Sequence, residues 1–413
     1  MVHVSTSLRS PTLRRRTHVM LVLTAATALL LAGCGGSDDT SNDNTSAGGN
    51  VVVTVDPNEA NNVVVPERRF FNDSSPWNHR IDSLKVDPHS DRMIHFAQER
   101  VGVTELPNSN VITQVRNLVD DGLYINTYRW TVPVVAGGRP TQLVCRQLVC
   151  GDGSNTTTLN IPDDVDPDPR YDGWYTVFDT SASVAYDLWR ARREDDDTIS
   201  YNFMRKWDLN GPGYSAPWTE AARGSGLPLF AGLIRPGELQ SGEIQHALAI
   251  SVPGPAVGIF VQPASSTDGN GRPSSIPEGA RIRLKRDVVL PKPRDPITGK
   301  LIKLTKAQQR MSDAIVACLR TYGAIVVDRA AVPTLYAQRN VTDTMIKGNE
   351  LQGLTLNDFE VLPIGQTYHY PPEEDDVVLV SPSTSPSGQP SSSSTPSPTS
   401  SPTSTLTVEV SPS

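Results

Sequence analysis

Apolar positions in this chain recur at two spacings, and the shorter one dominates. A period of two marks a strand and a period near 3.6 marks a helix. Trp174 to Asp179 and Val184 to Trp189 alternate as two antiparallel strands joined at Thr180–Ala182. Ile125 to Val149 is β-branched and aromatic, broken by Gly137-Gly138 and Pro140. Ile244 to Val252 is apolar almost throughout, as a strand buried on both faces is. After the turn signal Pro277-Glu278-Gly279, the residues Ala280, Ile282 and Leu284 alternate with Arg281, Arg283 and Lys285. That pattern predicts a half-buried strand with a solvated basic face, which could also contact a uronic-acid polymer. Ala324 to Asp328 reads as a further strand.

Helical spacing is rarer. Asp87-Pro88 opens a helix signal followed by Met93, Ile94, Ala97 and Val101. Pro236 starts a short helical turn that Gly242 can close. The clearest helix runs from Thr305 to Tyr322, with a capping box at Thr305 and Gln308. Met311, Ala314, Ile315, Cys318, Leu319 and Tyr322 form its apolar stripe, which makes Cys318 a buried small hydrophobe rather than a reactive thiol. Strands outnumber helices and turns are frequent. The expected fold is mainly β, a two-sheet antiparallel sandwich of jelly-roll type with a few peripheral helices.

Composition divides the chain into four parts. Residues 1–33 combine a basic start (Arg9, Arg14, Arg15, Arg16) with an apolar run from about Met20 to Leu31. Such a segment is a secretory signal, too short and wrongly flanked to span a membrane. Residues 34–62 begin with small, polar and acidic types and read as a disordered linker. Residues 63–375 form the β-rich globular body. Residues 376–413 are an extended tail, and from Ser381 to Thr405 only Gly388 and Gln389 are not Ser, Thr or Pro. The net charge of −8 argues against non-specific nucleic-acid binding.

The run Leu31-Ala32-Gly33-Cys34 resembles the lipobox of bacterial lipoproteins. The resemblance implies that Cys34 becomes the lipidated first residue of an exported protein held at the cell envelope. Gly35 stands where an aspartate favours inner-membrane retention in enterobacterial-type lipoproteins, so the outer membrane is implied for a Gram-negative cell. In an oxidising compartment Cys145 and Cys150, bracketing Arg-Gln-Leu-Val, are expected to form a local disulfide.

Several reaction centres are excluded. No G-x-S-x-G elbow, H-E-x-x-H, Walker loop or dinucleotide fingerprint is present, and no cofactor is expected. Asp268-Gly269-Asn270-Gly271 starts like a calcium loop but continues with Arg272, and reads as a turn; no metal-ligating set is recognised. The aromatic residues point elsewhere. Of the 25 in the chain, 11 lie between Tyr171 and Trp218, mixed with acids and amides. Flat rings beside polar groups suit sugars, so Trp174, Trp189 and Asp179 are candidate ligand-binding residues. Asp187 shares a strand face with Trp189. His246 is the one ionisable group in an apolar run, and Arg235 and Glu238 lie close in sequence. These four, Asp187, Arg235, Glu238 and His246, are the candidate acid–base residues. The alternative is a non-catalytic adhesin or structural envelope protein.

Two further resemblances concern the body. The segments GSGLPLFAGLIRPGEL, HALAI, TDG, IPEGARIRL and YGAIVVD look like a pattern found in secreted bacterial and fungal proteins, which carries no established activity with it. Gln245-His246 and the Tyr322 segment are weakly similar to motifs of alginate-type lyases. Here the Gln and His are adjacent, so their side chains face opposite ways, and the lysine of the late motif is missing.

Overall fold

The computed structural model describes residues 69–99, 122–295, 298–340, 342 and 344–373. The leader, Cys34, the linker and the Ser/Thr/Pro tail lie outside the described residues. Contacts divide the chain into Met1–Thr54 and Val55–Ser413, and all described residues belong to the second unit.

The fold is mainly β. The strands are β1 (Tyr124–Asn126), β2 (Val134–Ala136), β3 (Arg139–Cys145), β4 (Thr158–Ile161), β5 (Tyr175–Asp179), β6 (Val184–Trp189), β7 (Arg192–Arg193) and β8 (Ile199–Tyr201). They continue as β9 (Phe203–Asp208), β10 (Leu248–Val252), β11 (Ile259–Val261), β12 (Arg281–Leu284), β13 (Ala324–Arg329), β14 (Thr334–Tyr336), β15 (Phe359–Val361) and β16 (Thr367–His369). Helices are α1 (Ser90–Ala97), α2 (Pro236–Ser241) and α3 (Lys306–Thr321).

The expected pair of antiparallel sheets is not what forms. Among the described residues a six-stranded sheet runs β1-β14-β10-β13-β12-β15, two four-stranded sheets run β2-β5-β6-β9 and β4-β3-β8-β7, and β11 pairs with β16. Each larger sheet is mixed: β1–β14, β10–β13, β2–β5 and β3–β8 are parallel. Parallel neighbours need a crossover. The chain between β10 and β13 supplies one, and it contains α3.

Alternating side chains join the sheets into layers. In β13, Val326 faces the core beneath the helices with Ile315 and Leu319 of α3. Ile325 and Val327 face the opposite way, toward Phe178, Trp207 and Phe230. In β5, Phe178 belongs to that middle layer, while Tyr175 and Val177 pack against Leu143, Ile161 and Tyr201 of the third sheet. Burial on both faces accounts for the near-continuous apolar character of β10, whose residues are all buried.

Local signals predicted several elements closely. Thr305 accepts from the Gln308 amide at 3.2 Å and Gln308 answers at the Thr305 amide, 3.0 Å, opening α3. Gly242 closes α2 with φ of 77°, where glycine avoids the Cβ penalty. The first helix begins at Ser90, later than expected, with the Asp87 carboxylate accepting from the His89 amide at 2.8 Å. The alternation in β12 is present, but its basic face is not solvated. Arg283 is buried, bonded to Glu360 at 2.7 Å and to the Ile81 carbonyl; Arg281 reaches the carbonyls of Pro76 and Tyr322. No helix among the described residues is long and apolar enough to cross a membrane.

Gly279 fixes the turn before β12. Its φ is +89°, its amide donates to Val326 O at 2.8 Å, and a Cβ there would meet Val261 O at 1.8 Å. Gly279→Ala is expected to lower stability by about 2 kcal/mol or more, from the left-handed backbone and the clash together. A urea midpoint equal to that of wild type would contradict this.

Candidate functional site

The residues singled out in the sequence fall into two sets. Register places Thr176 opposite Asp187, and the threonine hydroxyl donates to Asp187 Oδ1 at 2.9 Å. Asp187 is buried; burial pushes its carboxyl up to about 6, against the opposing Arg223 guanidinium and the Thr176 hydrogen bond. Trp189 lies on the same side of β6, half-buried, with its ring centroid 6.4 Å from that of Trp174. Arg223 lies 3.9 Å from the Trp174 ring centroid. Asp179 is engaged within its own turn. Its Oδ1 accepts from Ser181 N at 3.0 Å, Ser181 Oγ at 2.6 Å and Ala182 N at 3.1 Å, building the β5–β6 turn.

Arg235, Glu238 and His246 form the second set, at the start of α2. Glu238 Oε2 accepts from the Arg235 amide at 2.9 Å, which caps the helix. Oε1 accepts from His246 Nε2 at 2.8 Å and lies 3.4 Å from Arg235 Nη1. His246 Nδ1 faces Ala247 O at 2.8 Å. Both ring nitrogens therefore meet oxygen atoms of the chain. Burial alone would raise Glu238; the charges of His246 and Arg235 outweigh it and bring the carboxyl down to about 2. Cys318 is buried beneath, donating to His246 O at 3.1 Å. His246 and Arg235 are buried. The bonds divide Asp187 from the other three, and each set is occupied with internal partners.

Arg223 connects Asp187 to a carboxylate group whose members the sequence places only in separate turns and a strand. Its Nη1 donates to Asp328 Oδ2 at 3.1 Å, and Asp328 lies at the end of β13. Oxygens of Asp268, Glu278 and Asp328 all fall within 4.8 Å of one another. Glu278 is fully buried; burial, then the charges of Asp268 and Asp328, push its carboxyl well up. Burial raises Asp328 to about 6 although Arg223 opposes it.

A third feature is exposed. Tyr128 is 46% and Trp130 49% accessible, in the turn after β1. Thr131 Oγ1 donates to Ala337 O at 2.7 Å, and the Arg339 amide donates to Val132 O at 3.1 Å, so this turn is tied to the chain leaving β14. The Trp130 ring lies 5.5 Å from Tyr171, edge to face. Tyr171 ends a 3-10 turn, Pro169–Tyr171, capped by Asp168, whose carboxylate takes Arg170 Nε and Nη2 at 2.9 and 2.7 Å. Guanidinium groups lie close to the rings: Arg129 5.6 Å and Arg170 5.5 Å from Tyr171, Arg339 5.7 Å from Tyr128. Trp130 stands outside the aromatic-rich stretch of the sequence; the Tyr128-Arg129-Trp130 triplet was the available signal. The Cys145–Cys150 disulfide is present, Cα–Cα 6.0 Å.

Comparison with protein-family models, curated proteins and solved structures finds no match.

Proposed function

We propose that the protein is an exported, lipid-anchored envelope protein that binds an acidic polysaccharide. The observation carrying this reading is the exposed pair Tyr128 and Trp130, packed against half-buried Tyr171, with Arg129, Arg170 and Arg339 beside the rings. Aromatic faces suit the C–H faces of sugar rings. Guanidinium groups suit carboxylates, which they can grip with two parallel hydrogen bonds. Asp168 holds Arg170 in place through two nitrogens, so part of the surface is set before a ligand arrives. The disulfide fits an oxidising compartment outside the cytoplasm. Recognition is favoured over cleavage because the Arg235–Glu238–His246 set is buried and internally bonded. A non-catalytic adhesin would use the same surface.

Affinity electrophoresis of the full chain through gels containing a polyuronate or a neutral glucan tests this. The polyuronate is expected to retard the protein more, and added salt to weaken the effect. Trp130→Ala should lower the affinity on the order of tenfold. Equal mobility in all gels, or unchanged retardation of the variant, would overturn the reading.

A further inference from the structure

The carboxylates of Asp268, Glu278 and Asp328 come from three separate segments and bring their oxygens within 4.8 Å of one another. The hydrogen bonds around them leave a deficit. Glu278 Oε2 accepts from the Asp268 amide at 3.3 Å and the Thr267 side chain also bonds this carboxyl, while Oε1 is buried with no well-formed hydrogen bond among the described residues. A fully buried carboxylate oxygen without a donor is costly unless something else meets it. Asp328 uses Oδ2 for Arg223 and Oδ1 for the Arg329 amide, 2.8 Å. The side chain of Asp268 is 44% exposed, which leaves one side of the cluster open to solvent, and its Oδ2 lies 3.7 Å from Arg329 Nε.

Charge shows the same shortage. Arg223 and Arg329 are the guanidinium groups at the cluster, and Arg223 also acts on buried Asp187. Two cations thus serve four carboxylates. Close packing matters as well. A Cβ on Gly224 would stand 2.3 Å from Asp268 Oδ1, so glycine lets the backbone of the Arg223-Gly224-Ser225 segment come up against the carboxylate. Every donor in the set is a carboxylate oxygen; no imidazole or thiolate is present. Such sets select hard divalent ions over zinc or copper.

We propose that Asp268, Glu278 and Asp328 bind one hard divalent cation, calcium or magnesium. The orphaned Glu278 Oε1 gains a ligand, the excess negative charge is offset, and the open side at Asp268 lets water or a ligand oxygen complete the shell. The cation joins the chain entering β12 to the end of β13, so binding also ties the six-stranded sheet to the loop that carries Asp268.

The test is titration calorimetry of the full chain, stripped with a chelator and then freed of it, against calcium chloride and magnesium chloride separately, with no glycan present. One saturable site is expected for at least one ion, with a raised thermal midpoint. Asp268→Asn, at a half-exposed position where folding is retained, should weaken binding about tenfold or more, and Glu278→Gln should abolish it. No saturation by either ion at about 1 mM, or unchanged affinity in Asp268→Asn, would overturn the proposal. Because no glycan is used, either outcome is independent of the polysaccharide reading.

Discussion

Serine at position 34 is expected to move the protein from the membrane fraction to the soluble fraction of the cell. Leu31-Ala32-Gly33 leads directly to Cys34, behind an apolar run and four arginines. Under the proposed lipoprotein reading the thiol is the acceptor for lipid, and a serine hydroxyl does not replace it. Each acyl methylene buried in a leaflet contributes about 0.8 kcal/mol, so two or more chains on Cys34 would hold the protein almost permanently. Among the described residues no helix is long and apolar enough to cross a membrane. Fractionation of cells making wild type and Cys34→Ser checks the expectation. A variant still in the membrane fraction, or a wild type found in the cytosol, would contradict it.

Glu238→Gln is expected to lower folding stability by about 3–5 kcal/mol, because it removes the carboxylate that the buried Arg235 guanidinium and His246 ring share. The carboxylate meets His246 Nε2 at 2.8 Å, the Arg235 amide at 2.9 Å and the Arg235 guanidinium at 3.4 Å. The pH dependence has a definite sign. Its folded value, about 2, lies below the ordinary value of 4.5. The stabilisation from Glu238 is therefore complete above about 4.5 and is lost as the pH falls toward 2. Urea midpoints measured across that window should fall more steeply for wild type than for Glu238→Gln. Parallel curves, or a variant as stable as wild type at neutral pH, would show that the pair contributes little.

Elements governed by local rules were legible in the sequence. The capping box of α3, the β5–β6 hairpin, the Gly242 stop and the doubly buried β10 each depend on residues close in the chain. Sheet assembly was not legible. Period-two alternation says which residues share a face, but not which strand lies alongside or in which direction. The parallel pairings β10–β13 and β2–β5 therefore carried no local mark. Arg281 and Arg283 illustrate the same gap. Their alternation marks the strand, but the chain near residues 76–82 covers the face and supplies carbonyl acceptors.

The site was legible only in part. Asp187, Trp189 and Trp174 do cluster, and Glu238 does meet His246, yet a histidine in an apolar run and its partner can be satisfied internally. Asp268, Glu278 and Asp328 come from segments far apart in the chain, so only tertiary structure joins them. Trp130 stands outside the dense aromatic stretch, and density along the chain does not mark a binding ring, because exposure decides whether a ring is available to a ligand.

The most direct measurement is a crystal structure of the chain soaked with an acidic oligosaccharide. The account predicts a sugar ring against Tyr128, Trp130 or Tyr171, with a carboxylate gripped by Arg129 or Arg339. An oligosaccharide seated at another surface, or none bound at saturating concentration, would contradict it.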